Sequence, residues 1–220
     1  MRYLKVKNQS LILYPTKIVC LARNYERHSI EMGRKAPKEP LIFLKPTSAI
    51  IHEEEDILIP RQSKLIHHEV ELAIVIGKRG KDIAREKAFD HVFGYSVFID
   101  VTARDLELEA MKRGLSWDVS KGFDTFAPIS QIAPKEGVSD PKNLDVKLWV
   151  NNKLRQNSNT KYMIFKIPEI ISHISSVMTL ERGDVIATGT PEGVSFLKPG
   201  DLIKAEIEKI GSLRNRVVGI

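Results

Sequence analysis

The sequence has one cysteine, Cys20. A single thiol makes no intramolecular disulfide and no paired-cysteine metal site. Cys20 lies in the apolar run Ile18-Val19-Cys20-Leu21, so it reads as a small buried hydrophobe rather than a nucleophile. No apolar run approaches the roughly 18 residues of a membrane span. The opening residues Met1 to Lys7 lack the apolar middle of a signal peptide. These absences give the expectation of a cytoplasmic protein with no membrane partner. Low-complexity tracts and useful repeats are missing too. The two similar phrases Arg182-Gly183-Asp184-Val185-Ile186 and Pro199-Gly200-Asp201-Leu202-Ile203 each read as a tight turn feeding a strand. Neither glycine-rich phosphate motif, GxxxxGK[ST] or GxGxxG, occurs.

What is present is a 220-residue chain, 42% hydrophobic and 28% charged, long enough to bury a core as a globular protein. The formal net charge of +6 raises the question of nucleic acid. The basic residues are scattered among acids, clusters such as Lys78-Arg79-Gly80-Lys81 are short, and no aromatic–basic interleaving or zinc-finger spacing accompanies them. The pattern argues against a nucleic-acid partner and suits attraction of small anions.

Strand signals dominate. Leu41–Leu44, Val70–Ile76, Tyr95–Ile99, Val146–Val150, Val185–Thr188 and Leu202–Ile207 are short apolar or alternating runs ended by Gly, Pro, Asn or Asp. Asn151-Asn152 predicts a hairpin turn. A helix is expected from Pro168, with Ile170, Ile171, Ile174, Val177 and Met178 near helical spacing. Shorter helices are expected over 24–32, 82–89 and 103–113. Many strands and few, irregularly placed helices predict a sheet-rich α+β fold. The polar segment Gly33–Pro40 reads as a surface loop, with a lid as its functional alternative.

The most informative stretch is His67-His68-Glu69-Val70-Glu71-Leu72-Ala73-Ile74-Val75-Ile76. Strand side chains alternate, so Val70, Leu72, Ile74 and Ile76 share one face, and Glu69 and Glu71 share the other with Ala73 and Val75. Two adjacent carboxylates repel unless a proton or cation intervenes. An all-oxygen set favours magnesium, manganese or calcium over zinc. In isolation such a pair is more often solvated surface. Asp100, at the end of the apolar run Gly94–Ile99, adds a third acid; the bland alternative is that it caps the following helix.

His28 and Glu31 stand three apart, neighbours on a helix, where a carboxylate orients an imidazole for proton transfer. On spacing alone a solvated helix face with incidental charges is the more common reading. Lys121, among apolar and small residues, is a candidate partner for a substrate carboxylate, with a solvated lysine as the ordinary alternative. The Thr188-Gly189-Thr190-Pro191 turn offers hydroxyls and backbone N–H groups to an anion.

Taken in order, these segments resemble the fumarylacetoacetate hydrolase family. The matching phrases are Arg23-Asn24-Tyr25 with His28 and Glu31, Phe43-Leu44-Lys45-Pro46, His68-Glu69-Val70-Glu71-Leu72, Asp100-Val101-Thr102-Ala103-Arg104-Asp105, Lys121-Gly122-Phe123-Asp124, and Gly183-Asp184-Val185-Ile186 with Thr188-Gly189-Thr190-Pro191. The resemblance implies a mixed β-sandwich roll over residues 18–220, preceded by a short N-terminal segment over 1–17, and a homodimer. It makes Glu69, Glu71 and Asp100 the ligands of a divalent ion, Mg2+ with Mn2+ or Ca2+ as alternatives. It makes His28 and Glu31 an acid–base pair, with Lys121 beside them in catalysis, and assigns substrate binding to Arg23, Lys45, Arg104 and Thr190. The compact acylpyruvase and oxaloacetate decarboxylase branch is the nearest in pattern. The implied activity is magnesium-dependent cleavage of a C–C bond in acylpyruvate-type 2-oxo acids, together with decarboxylation of oxaloacetate. The rival within the family is 2-hydroxyhepta-2,4-diene-1,7-dioate isomerase or 5-oxopent-3-ene-1,2,5-tricarboxylate decarboxylase chemistry; outside it, a noncatalytic metal- or nucleic-acid-binding β-protein. Two positions depart from the family pattern: Ala22 stands where Gly is common, and Glu107 where many relatives have Gln.

Overall fold

The computed structural model describes residues 2–219. Its organising element is the strand Val70–Ile76, buried along its whole length. Val70, Leu72, Ile74 and Ile76 enter one core cluster, and Ala73 and Val75 enter a second behind it. The predicted alternation therefore holds, but the second face is core as well, and only its Glu69–Glu71 end meets a cavity.

This strand sits third in a six-stranded sheet ordered Ala133–Pro134, Val92–Ile99, Val70–Ile76, Val185–Ala187, Ile18–Ala22 and Leu41–Lys45. The pairing is antiparallel except between Val185–Ala187 and Ile18–Ala22. A five-stranded sheet of Lys153–Asn159, Asp145–Val150, Leu202–Ile207, Gly211–Gly219 and Ile57–Ile59 contributes Val146, Leu148, Ile203 and Ala205 to the first core cluster. A three-stranded sheet of Thr102–Ala103, Ile66–His68 and Ser195–Leu197 lies at the end where the acids emerge. This is the mixed, sheet-rich α+β sandwich expected. The hairpin formed by Leu4–Lys5 and Ile12–Leu13 buries Leu4, Val6 and Leu13 in the second cluster.

Among the described residues four α-helices connect the sheets: α1 (Glu26–Glu31), α2 (Arg104–Lys112), α3 (Asp118–Lys121) and α4 (Ile167–Val177). In α4 the buried residues Ile167, Ile170, Ile171 and Ile174 form the expected stripe, and the Glu169 carboxylate accepts from the Lys166 N–H at 2.8 Å to close the first turn. The helix expected over 82–89 is instead a 3₁₀ segment, Arg85–His91. The reason lies in α4: the Asp82 and Ile83 N–H groups donate to Ser175, so the chain is pinned before an α-helix can begin. Asn151 and Asn152 both have positive φ, 49° and 64°, the backbone a two-residue type I′ hairpin needs.

Asp184 fixes the start of a central strand. Its buried carboxylate accepts from the Thr16 N–H and hydroxyl, the Lys17 N–H and ammonium and the Glu181 N–H. Burial would raise its pKa, but Lys17, the Glu181 N–H and Thr16 outweigh burial and hold it below the ordinary carboxylate value. Asp184→Ala removes the shared acceptor of several part-buried donors and should cost about 3 kcal/mol, a melting-temperature loss of roughly 6–12 °C. A depressed native pKa stabilises above the unfolded value near 4 and is lost as pH falls through the native value. The gap between parent and variant in thermal denaturation should therefore narrow below about pH 4; a gap unchanged down to pH 2 would contradict this account.

Candidate active site

Glu69 and Glu71 flank Val70 at the start of the central strand, and Asp100 follows the last residue of its neighbour, where Ile99 pairs with Val70. The Asp100 N–H donates to the Glu69 carbonyl at 2.8 Å, fixing the two chain ends side by side. One carboxylate oxygen from each of Glu69, Glu71 and Asp100 lies within 4.8 Å of the others, and all three side chains are buried. The capping alternative for Asp100 does not hold, since α2 starts from Ala103.

The three acids are compensated unequally. Glu69 pairs with Arg104 and, at 3.0 Å, with Lys121. Asp100 pairs with Lys45 and Lys121, each at 2.6 Å. Glu71 accepts the Gly189 N–H at 2.7 Å, and among the described residues it has no ion pair. The consequence is opposite behaviour from adjacent acids. Burial raises Glu69, yet Lys121 and Arg104 hold it well below the usual carboxylate range. Burial, Asp100 and Glu69 together push Glu71 well above it. A hard divalent cation suits this donor set: three converging oxygens, one from a carboxylate with no protein cation of its own.

The same cavity, of about 150 Å³, is lined by His28 from α1. His28 is buried, and its Nδ1 lies 3.3 Å from Glu31 Oε2. Glu31 also accepts the Gly193 N–H at 3.0 and 3.2 Å. Burial would raise Glu31, but the His28 and Gly193 hydrogen bonds outweigh it and lower its pKa. Glu31 is therefore a carboxylate at neutral pH, and the Nδ1–H tautomer it selects leaves Nε2 free.

The remaining expected residues divide. Arg23 lines the cavity with backbone in the left-handed region, φ 58°, and donates to the Lys35 carbonyl on the following loop at 3.4 Å. Arg104 lines it but is engaged by Glu69 and Glu107. Thr190 lines it, but its hydroxyl already donates to the Val70 carbonyl at 2.9 Å. Lys121 donates to Glu69, Asp100 and, at 2.7 Å, Thr102. Burial alone would lower its pKa; Asp100 and Glu69 override this and raise it, so Lys121 stays an ammonium and supplies charge rather than basicity. Lys45 departs from its expected place. It is absent from the cavity wall, with its ammonium on Asp100 and on the Val101 carbonyl at 3.0 Å. A buried ammonium needs acceptors, and Asp100 and the Val101 carbonyl supply them there. Glu107 is buried on Arg104, a guanidinium it shares with Glu69.

Sequence reasoning missed the apolar half of the wall, Met32, Phe43, Leu108, Met111 and Trp117, together with Arg34. These come from four separate places in the chain, the end of α1, the strand Leu41–Lys45, α2 and the start of α3, and only the fold brings them together. It also missed Gln156, a buried glutamine behind the acids.

The sequence model described as fumarylacetoacetate (FAA) hydrolase C-terminal matches residues 17–218. The chain belongs to this family. Within the family, a protein of Arabidopsis thaliana named oxaloacetate tautomerase FAHD1, mitochondrial, is 50% identical over 94% of this chain and 92% of its own length. The oxaloacetate decarboxylase of Dictyostelium discoideum is 49% identical over 87% of this chain and 88% of its own. The crystal structure of fumarylpyruvate hydrolase from Pseudomonas aeruginosa in complex with Mn2+ and pyruvate superposes with a TM-score of 0.96 at 34% identity, covering 100% of this chain and 96% of that one. Hydrolases, decarboxylases and tautomerases thus share this fold, and the chain is an enzyme of the same kind. Among the described residues no helix is long and apolar enough to cross a membrane.

Proposed function

We propose that this protein is a magnesium-dependent enzyme of small 2-oxo acids that makes and breaks bonds at C3, with oxaloacetate-type dicarboxylates as its first substrate class. The observation that carries the reading is the meeting of the Glu69–Glu71–Asp100 cluster and the His28–Glu31 pair on one small cavity. A divalent cation held by the three carboxylates would supply Lewis acidity, polarising the 2-oxo group and acidifying the adjacent C–H.

The chain's own groups do the rest. His28 exchanges a proton with C3 through Nε2, while Glu31 keeps Nδ1 protonated and the ring in place. Lys121 and Arg104 keep positive charge beside the acids as negative charge develops on substrate oxygen. Phe43, Met111 and Trp117 exclude water from one wall. Arg23 and Arg34 line the cavity without an ion pair among the described residues, and so favour a second substrate carboxylate. The relatives named for oxaloacetate agree with that preference.

C–C hydrolysis of acylpyruvates is the second reading, favoured by the apolar wall, which suits an acyl group. There His28 takes a proton from water that attacks the distal carbonyl; the bond between that carbonyl and C3 breaks, its electron pair leaves with pyruvate as the enolate, His28 returns the proton to C3, and the acyl part departs as a carboxylic acid.

The test is a panel of oxaloacetate, acetylpyruvate and fumarylpyruvate, each with Mg2+, Mn2+ or EDTA. Oxaloacetate tautomerisation or decarboxylation should vanish in EDTA and return with Mg2+. Arg34→Ala should raise KM for oxaloacetate about tenfold, the scale of one charged hydrogen bond, and leave acetylpyruvate nearly unchanged. Turnover indifferent to EDTA would sink the metal-dependent reading; equal effects of Arg34→Ala on both substrates would sink the dicarboxylate preference.

A further inference from the structure

The strand Lys153–Asn159 carries a break in register. Trp149 pairs with Leu154, but the next residue on the partner strand, Leu148, pairs with Gln156, leaving Arg155 as an extra residue. Such a bulge bends a strand and re-aims the side chain that follows. Directly opposed residues share a face, so regular pairing would set Arg155 opposite buried Leu148 and turn Gln156 outward. The bulge reverses this: Arg155 is exposed and Gln156 is fully buried.

Every polar atom of the Gln156 amide is then used on the active-site side. Its Oε1 accepts the Val70 N–H at 3.0 Å and the His68 Nδ1–H at 3.0 Å. Its Nε2 donates to the Thr190 hydroxyl and to the Pro191 carbonyl, each at 2.8 Å. The amide orientation is fixed, because a backbone N–H must donate and a carbonyl must accept. Thr190 in turn donates to the Val70 carbonyl at 2.9 Å. Both peptide groups of Val70, the residue between Glu69 and Glu71, are thereby held from the second sheet.

The bulge reaches the acid–base pair as well. A Cβ on Gly193 would lie 2.1 Å from the Arg155 carbonyl oxygen, so only glycine lets the loop rest there, and Gly193 has φ +95°. The N–H of that same Gly193 holds Glu31.

We propose that Gln156 is a positioning residue that sets the directions of Glu69 and Glu71 and ties them to the loop carrying Thr190 and Gly193. It touches neither substrate nor cation; it acts through Val70 and Thr190. This inference rests on the reading of Glu69, Glu71 and Asp100 as cation ligands.

The test compares Gln156→Met, which keeps length and removes all four hydrogen bonds, with Gln156→Glu, which keeps the acceptor for Val70 and loses the donors to Thr190 and Pro191. Mn2+ is the probe, followed by its bound-ion paramagnetic resonance spectrum and by titration, beside kcat and KM for oxaloacetate and a melting curve. Groups that orient metal ligands typically cost about 10–100-fold in affinity or rate when lost. Gln156→Met should weaken Mn2+ binding and lower kcat by about tenfold each, with an altered spectrum and little change in KM. Gln156→Glu should weaken Mn2+ binding about threefold to tenfold, and it decides the matter if Gln156→Met fails to fold. Either variant, folded at the assay temperature and within about twofold of the parent in Mn2+ affinity, overturns the proposal. A parent that binds no Mn2+ overturns the ligand reading and this inference together, whereas an unchanged variant overturns this inference alone.

Discussion

Glu71→Gln should abolish turnover and, at the same time, raise the melting temperature of the metal-free protein. The two signs come from one feature. Glu71 is the member of the acidic trio with no ion pair among the described residues, and burial beside Asp100 and Glu69 makes its negative charge costly. Glutamine has the same shape, and its carbonyl oxygen can still accept the Gly189 N–H that Glu71 Oε2 accepts at 2.7 Å. Removing the charge should therefore relieve repulsion without opening a cavity, with a gain of about 1 kcal/mol, or roughly 2–4 °C for a chain of this length. The same change removes an anionic oxygen from a hard-cation site, and kcat/KM should fall by at least about a thousandfold, the scale of a lost principal electrostatic group. Melting with and without EDTA, together with Mn2+ titration, reads both signs.

Glu69→Ala is the less clean experiment. It too should remove metal binding and turnover, but it takes one carboxylate partner from each of Arg104 and Lys121, leaving Arg104 on Glu107 and Lys121 on Asp100. Losing one buried charged hydrogen-bond partner from each of two cations should destabilise the fold by about 2–4 kcal/mol. Opposite stability changes from two neighbouring acids would be hard to explain by anything except their unequal compensation. A fall in melting temperature for Glu71→Gln comparable with that for Glu69→Ala would refute the charge assignment.

The acids were legible because a strand has period two. Glu69 and Glu71 fall on one face by arithmetic, and Asp100 stands where an apolar run stops. What that arithmetic did not reveal was their compensation. Lys45 ends the strand Leu41–Lys45 as a solvated lysine would, and its partner Asp100 is 55 positions away. Gln156 was hidden for a more specific reason. Parity counted along the Lys153–Asn159 strand fails at Arg155, because a bulge inserts one residue, and no rule of alternation predicts where a bulge falls. The helix expected over 82–89 failed likewise through a contact from outside, the Ser175 hydroxyl on Ile83. Local patterns were reliable where the backbone was regular; they failed where a distant group held it. The resemblance to a family supplied the grouping of His28, Glu31 and the three acids that spacing alone left open.

His28→Ala should leave Mn2+ affinity within about twofold of the parent and lower kcat by about 10²–10⁴-fold, the usual contribution of a positioned acid or base. The argument is one of place. His28 lines the cavity, yet its Nδ1 is committed to Glu31, so the imidazole faces substrate with one nitrogen and is no part of the oxygen cluster. His28→Asn serves as a control for volume, since it fills more of the space but carries no group that titrates near neutrality. It should be as inactive as the alanine variant. Glu31→Gln should be milder, about tenfold, because a glutamine oxygen can still accept from His28 Nδ1–H and from the Gly193 N–H, and what is lost is charge on a half-exposed group. The order His28→Ala, then Glu31→Gln, should hold for oxaloacetate and for acetylpyruvate alike, since both reactions need a proton moved at the same nitrogen. Loss of Mn2+ binding in His28→Ala with residual turnover intact would place His28 among the groups that hold the cation, and proton transfer would then have to be sought elsewhere on the wall.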